Sequence, residues 1–229
     1  MDRDVSAGRA LRTPRAAGIA GVLFALLLTT ALVLVRLAVP VDPADSGQWL
    51  ADPGRRRQII LALNLVPFSG IAFLWFIGVV RDRIGEREDR FFATVFLGSG
   101  LLFVAMLFVA SAVTAGFLAD AAPGGAADGS GFNRRIASVI VRTYAMRMAA
   151  VFMISTATIG LRTGFLPRWL GYSGYAVALV LLLVIDVTPW VELLVPFWIF
   201  FVSVDTLGEN LGGRPAARIA PADQSLPRQ

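Results

Sequence analysis

Cysteine, histidine and lysine are all absent from the 229 residues of this chain. Without cysteine there can be no disulfide, no thiolate nucleophile and no thiolate metal ligand. Without histidine the commonest general base is missing, as are imidazole-ligated zinc and haem. Charged residues are scarce at 16%, where a soluble domain has about 25%. No polar stretch is long enough to enclose a core of its own, so a second domain is not expected. The nucleotide-binding runs G-x-x-x-x-G-K-[ST] and G-x-G-x-x-G do not occur. There is no lipidation cysteine and no internal repeat of the transporter kind. A nucleophile would have to be Ser or Thr beside Asp, Glu or Arg, and no spacing marks one out. The expectation is a protein that is not an enzyme and has no cofactor and no metal.

Apolar residues, by contrast, make up 56% of the chain, and the mean hydropathy is +0.69. Long apolar runs recur. They predict an all-α fold, an integral membrane bundle of about six transmembrane helices. All 21 basic residues are arginine, and the formal net charge is +5. These arginines stand between and beside apolar runs. That placement points to topology and lipid head groups rather than to nucleic acid.

The spans are read at 16–35, 58–80, 91–119, 138–161, 171–187 and 190–204, so that 16–204 forms the transmembrane domain. Residues 1–15 are polar and read as a cytoplasmic N-terminal segment. The first span is too long for the apolar part of a cleavable signal peptide and is expected to be retained. In the second, Pro67 lacks a backbone donor and predicts a kink. Residues 81–90 read as a loop whose four arginines face four acids. Gly98, Ser99, Gly100, Ala112 and Gly116 in the third span are expected to pack against other helices. Residues 120–133 read as a Gly/Ala-rich loop. The last two spans are short, and both a full crossing and a re-entrant hairpin remain open. Residues 205–229 are expected to be a disordered cytoplasmic tail.

The fourth span is unusual because it carries Arg142 and Arg147. Its uninterrupted apolar part, Met148 to Leu161, has 14 residues, or about 21 Å of helix. The hydrocarbon core is about 30 Å thick. To cross, this helix must draw Arg147, and with it Arg142, to or below the membrane boundary. A guanidinium near mid-membrane costs on the order of 3 kcal/mol and calls for a partner, a water pocket or a route to the interface.

Counting arginines orients the chain. With the N-terminus inside, thirteen arginines lie on the inner side and eight on the outer, as the positive-inside rule favours. Both termini are then cytoplasmic. Asn64, Arg142, Arg147, Asp186 and Glu192 all fall in the outer half of the bilayer. Arg142 and Arg147 are five positions apart, about 140° round a helix, so one small partner cannot meet both from one face. One reading is that these groups pair with one another and fix helix packing. Another is a cationic pocket that grips an anionic lipid head group, or a phosphate- or carboxylate-bearing solute, through the arginine fork. A third is that the arginines snorkel to the surface. Ser155, Thr156 and Thr158 lie deeper in the same helix. They either line a polar path or bond back to their own carbonyls.

Two stretches, FLWFIGVVRDRIGEREDRFF (Phe73 to Phe92) and LRTGFLPRWLGYSGY (Leu161 to Tyr175), resemble segments of small uncharacterised multi-pass membrane proteins of actinobacteria. The resemblance implies a bacterial inner-membrane protein and brings no activity with it. The functional expectation is an accessory, assembly or lipid-binding protein, with a small transporter or channel for an anionic solute as the alternative. The expected partners are membrane lipids, above all anionic head groups, with a protein partner or a second copy as further candidates and no nucleic acid.

Overall fold

The computed structural model describes residues 13–39, 52–84, 90–120, 130–183 and 189–211, and all regular structure among them is helical. Helix α1 runs over Thr13–Ala38, α2 over Pro53–Ile84 and α3 over Arg90–Asp120. Helix α4, Ser130–Val139, passes through a π-helical turn, Ile140–Ala145, directly into α5, Met146–Thr163. Helix α6 spans Arg168–Leu183, and a 3-10 turn, Pro189–Leu193, leads into α7, Leu194–Leu211.

Helix ends follow local chemistry. Asp52 accepts the Gly54 N–H at 2.8 Å through its carboxylate, an N-cap for α2 with Pro53 in the first helical position. Arg36 stands in the last turn of α1, where a cation meets the negative end of the helix dipole. Beyond α5, Gly164 adopts the left-handed conformation with φ of 73°, a common way for a helix to end.

Several boundaries differ from those read in the sequence. Helix α2 continues to Ile84, four residues into the stretch expected to be a loop, and contains Pro67 within it, as expected of the second span. The Gly/Ala-rich loop ends sooner than expected, because α4 begins at Ser130. Helix α7 reaches Leu211, so residues Asp205 to Leu211 are helical rather than part of a disordered tail. The remaining parts of the expected N-terminal segment and C-terminal tail lie outside the described residues.

Among the described residues, five helices are long and apolar enough to cross a membrane: Gly18–Ala38, Pro53–Arg81, Phe91–Gly116, Arg135–Thr163 and Trp190–Gly208. The sixth, α6, has 16 residues, about 24 Å at the usual rise, and is the short member. Between 33% and 50% of the residues in the spanning segments are buried. The outward residues are nevertheless apolar, with Phe68 and Trp75 among the large exposed side chains. Water would disfavour so continuous an apolar exterior, whereas lipid accepts it. The fold is an all-α membrane bundle.

Inside it, α1 lies antiparallel to α2 and to α7. A Cβ at Gly18 would collide with Leu207 and with the Ser203 carbonyl, and one at Gly21 with the Ser203 hydroxyl and the Phe76 ring. Apolar burial gives helices little drive to associate in lipid, so such close backbone approach contributes directly. A phenylalanine cluster ties four helices together. Phe73 of α2 lies 4.6 Å from Phe24 of α1, 5.3 Å from Phe103 of α3 and 5.0 Å from Phe152 of α5. Gly100 packs against Ile77 and Phe152. Gly98 and Gly116, also expected at helix contacts, meet no neighbour, and Ala112 is exposed. A second, smaller apolar cluster of Ala38, Ile59 and Leu118 sits at one end of the bundle. There Arg56 donates to the Leu118 carbonyl at 2.8 Å and closes the end of α3.

Candidate functional site

That same end holds the most buried acidic side chain among the described residues. Glu192 stands in the 3-10 turn that precedes α7, with its side chain 5% exposed. One oxygen, Oε1, faces two cations. Arg36 Nη2 donates to it at 2.6 Å, and Arg142 Nε lies 3.4 Å away. The first distance is that of a short charge-assisted hydrogen bond, and the second exceeds that range. The two guanidinium-bearing side chains are 24% and 28% exposed. Three elements far apart in sequence thus meet at one carboxylate: the last turn of α1, the π-helical turn and the entry to α7. The cluster carries a formal surplus of one positive charge.

The π-helical turn matters for Arg142. An extra residue per turn shifts the angular register of everything that follows, so Arg142 and the α5 residues lie on faces that an unbroken α-helix would not give. Arg147 turns away from the cluster and donates to the Thr143 carbonyl of its own helix at 3.1 Å.

Of the five residues singled out from the sequence, the fold brings together Arg142 and Glu192. Asn64 is exposed on α2 and donates to the Ile60 carbonyl at 3.0 Å, away from the cluster. Arg147 is half-buried and bonded locally. Asp186 lies outside the described residues. The residue that sequence reasoning missed is Arg36, taken there only as the end of the first span. The available signal was its level: Arg36 closes span one and Glu192 opens span six on the same side of the bundle. The hydroxyls of Ser155, Thr156 and Thr158 bond back to Val151, Phe152 and Ile154 at 2.9, 2.7 and 2.8 Å. Thr158 also meets the Tyr175 hydroxyl at 2.8 Å.

A cavity of about 180 Å³ adjoins the cluster. Arg36, Arg142 and Glu192 form its charged part, and Ser111, Thr114 and Ser138 add hydroxyls. Leu28, Ala31, Ala62, Val66, Leu107 and Ala110 line it from the main core, and Ile59 and Leu118 from the small cluster. It therefore fills the gap between the two apolar clusters. The exposed Ser138 is also in the lining, so the cavity reaches the surface.

No protein-family model, curated protein or solved structure matches this chain. The arrangement must be read from its own chemistry. Two guanidinium groups beside one carboxylate can bind an anion. The apolar walls beside them can hold hydrocarbon, because such a lining gains more from an apolar guest than from water.

Proposed function

We propose that this chain is a non-enzymatic lipid-binding or accessory protein of a bacterial inner membrane, which holds an anionic head group at the Arg36–Glu192–Arg142 cluster. The observation that carries this reading is the shared oxygen. Glu192 Oε1 is already engaged by Arg36 at 2.6 Å, which leaves Arg142 at 3.4 Å with the weaker contact. A further anion completes the charge balance there, and the arginine fork suits phosphate or carboxylate. The arginine distribution favours both termini in the cytoplasm and the cluster in the outer half of the bilayer. Transport of an anionic solute has less support, since the cavity walls are largely apolar and the deeper hydroxyls bond to their own helix.

The experiment is native mass spectrometry of the purified full chain from mixed bilayers. The expected result is retained phosphatidylglycerol in preference to phosphatidylcholine, weakened in Arg142→Ala. Equal retention of both lipids would refute the reading. Orientation is tested separately. Gly85→Cys in the otherwise cysteine-free chain is expected to resist labelling by impermeant maleimide in intact cells, and labelling from outside would overturn the topology.

A further inference from the structure

We infer that the cavity between the two apolar clusters is a binding site for the hydrocarbon chain of an anionic amphiphile, whose carboxylate or phosphate is taken by Arg142 while Glu192 holds Arg36. This deepens the lipid-binding reading and rests on it. It adds that the ligand enters the protein between helices rather than resting on its rim.

Three observations support a chain. The first is the lining, which is largely apolar on the walls contributed by α1, α2 and α3, with Ser111 and Thr114 as the hydroxyls of α3, and charged only where Arg36, Arg142 and Glu192 meet. The second is size. An apolar cavity of about 150 Å³ takes up benzene, so a volume of about 180 Å³ suits a short run of carbons and excludes a whole two-chain lipid. The head-proximal carbons of one chain inside, with the remaining carbons leaving between the helices into the bilayer, fit that volume. The third is the fate of the polar groups in the wall. The Thr114 hydroxyl donates to the Ala110 carbonyl and the Ser138 hydroxyl to the Arg135 carbonyl, both at 2.8 Å. These two hydroxyls are engaged within their own helices, and Ser111, the third hydroxyl in the lining, is uncharged, so the charged contacts to a head group fall to the arginines.

The unequal contacts to Glu192 divide the roles. Arg36 and Glu192 form the tight pair, and Arg142 is the exchangeable cation. Glu192 is then an internal counter-ion that competes with the ligand for Arg142. Removing its charge should tighten anion binding, the opposite of what a ligand-contacting hydrogen-bond donor would do.

The test uses the full chain in phosphatidylcholine nanodiscs, with affinities read by native mass spectrometry. The probes are dodecanoate, dodecyl phosphate, dodecanol, phosphatidylglycerol and inorganic phosphate. Dodecanoate and dodecyl phosphate are expected to bind about tenfold tighter than dodecanol, the worth of one charge-assisted contact. Inorganic phosphate alone is expected not to bind. Arg142→Gln should remove the preference for the charged chains while leaving dodecanol unchanged, and Glu192→Gln should strengthen binding of the charged ones. Ala110→Leu fills the cavity and should weaken every chain-bearing probe about tenfold. Thr114→Leu serves the same purpose should Ala110→Leu fail to fold. Comparison of dodecanoate with phosphatidylglycerol tells a free fatty acid from a phospholipid as the source of the chain. Unchanged affinities in both filled variants would overturn the chain site while leaving head-group binding intact. Inorganic phosphate binding as tightly as dodecyl phosphate would do the same. No preference for charged over neutral probes in the native chain would overturn both readings together.

Discussion

Replacement of Glu192 by Gln removes one charge and almost no volume, and its cost follows from the geometry of the cluster. At about 4 Å between charge centres and an effective dielectric of about 20, each arginine contact has a gross Coulomb energy of about 4 kcal/mol. Desolvation of the three groups offsets much of this, and breaking a buried pair by removing one partner costs about 3–5 kcal/mol in measured cases. Three features move the expectation lower. The arginine side chains are 24% and 28% exposed, and glutamine keeps an oxygen acceptor. A chain unfolded within the membrane also finds other partners for its polar groups. The expected loss is therefore about 2–3 kcal/mol, weighted below the measured range for fully buried pairs. For a chain of this length that corresponds to a fall of about 4–12 °C in melting temperature. The assay is thermal unfolding in nanodiscs of neutral lipid. The decisive control is the triple replacement Arg36→Leu, Glu192→Leu, Arg142→Leu. It removes the whole ion cluster and should recover most of the loss, because apolar groups of similar volume often replace a buried ion pair without penalty. An unchanged melting temperature in Glu192→Gln, or a triple variant less stable than the single one, would refute the reasoning.

Other outcomes follow from single residues. Ser69 is buried, and its hydroxyl has no hydrogen-bond partner among the described residues. Ser69→Ala should leave stability unchanged or raise it by about 1 kcal/mol, read from the same melting curves. Gly164 has a φ of 73°, so Gly164→Ala should cost about 1 kcal/mol and Gly164→Asn less. Deletion of Thr143 should convert the π-helical turn to α-helix and rotate Arg142 by about 100° relative to α5. In that background Glu192→Gln should cost measurably less than in the native chain, a non-additivity that a double-mutant cycle detects.

Much of the bundle was legible because lipid imposes a simple rule. Every backbone polar group must be satisfied internally, so a long apolar run has little choice but helix. Charge near the end of a run misled the boundaries. Arg81 reads as the start of a loop, yet α2 continues to Ile84, since backbone hydrogen bonding does not stop where a cation reaches the interface. Asp205 misled in the same way at the end of α7. The site was half legible. Arg142 and Glu192 stood out because charges inside apolar runs are rare, whereas Arg36 looked like an ordinary terminator. The π-helical turn left no mark in the sequence. It sets the directions of Arg142 and Arg147, and an ideal helix of 3.6 residues per turn cannot represent it. Asn64 drew attention as a polar group in a span, but a bond to its own helix satisfies it locally and leaves it outside the cluster.

The pairing of Arg36 with Glu192 joins residues 156 positions apart. During synthesis, α1 and the helix that carries Arg142 leave the ribosome well before the carboxylate that both arginines face. Until α7 arrives, both cations depend on water, head groups or the insertion machinery for company. A nascent chain stalled before α7 would carry a recognisable defect, two orphaned positive charges at one membrane face. That defect is relieved only when α7 docks beside α1 and brings Glu192 between the two cations.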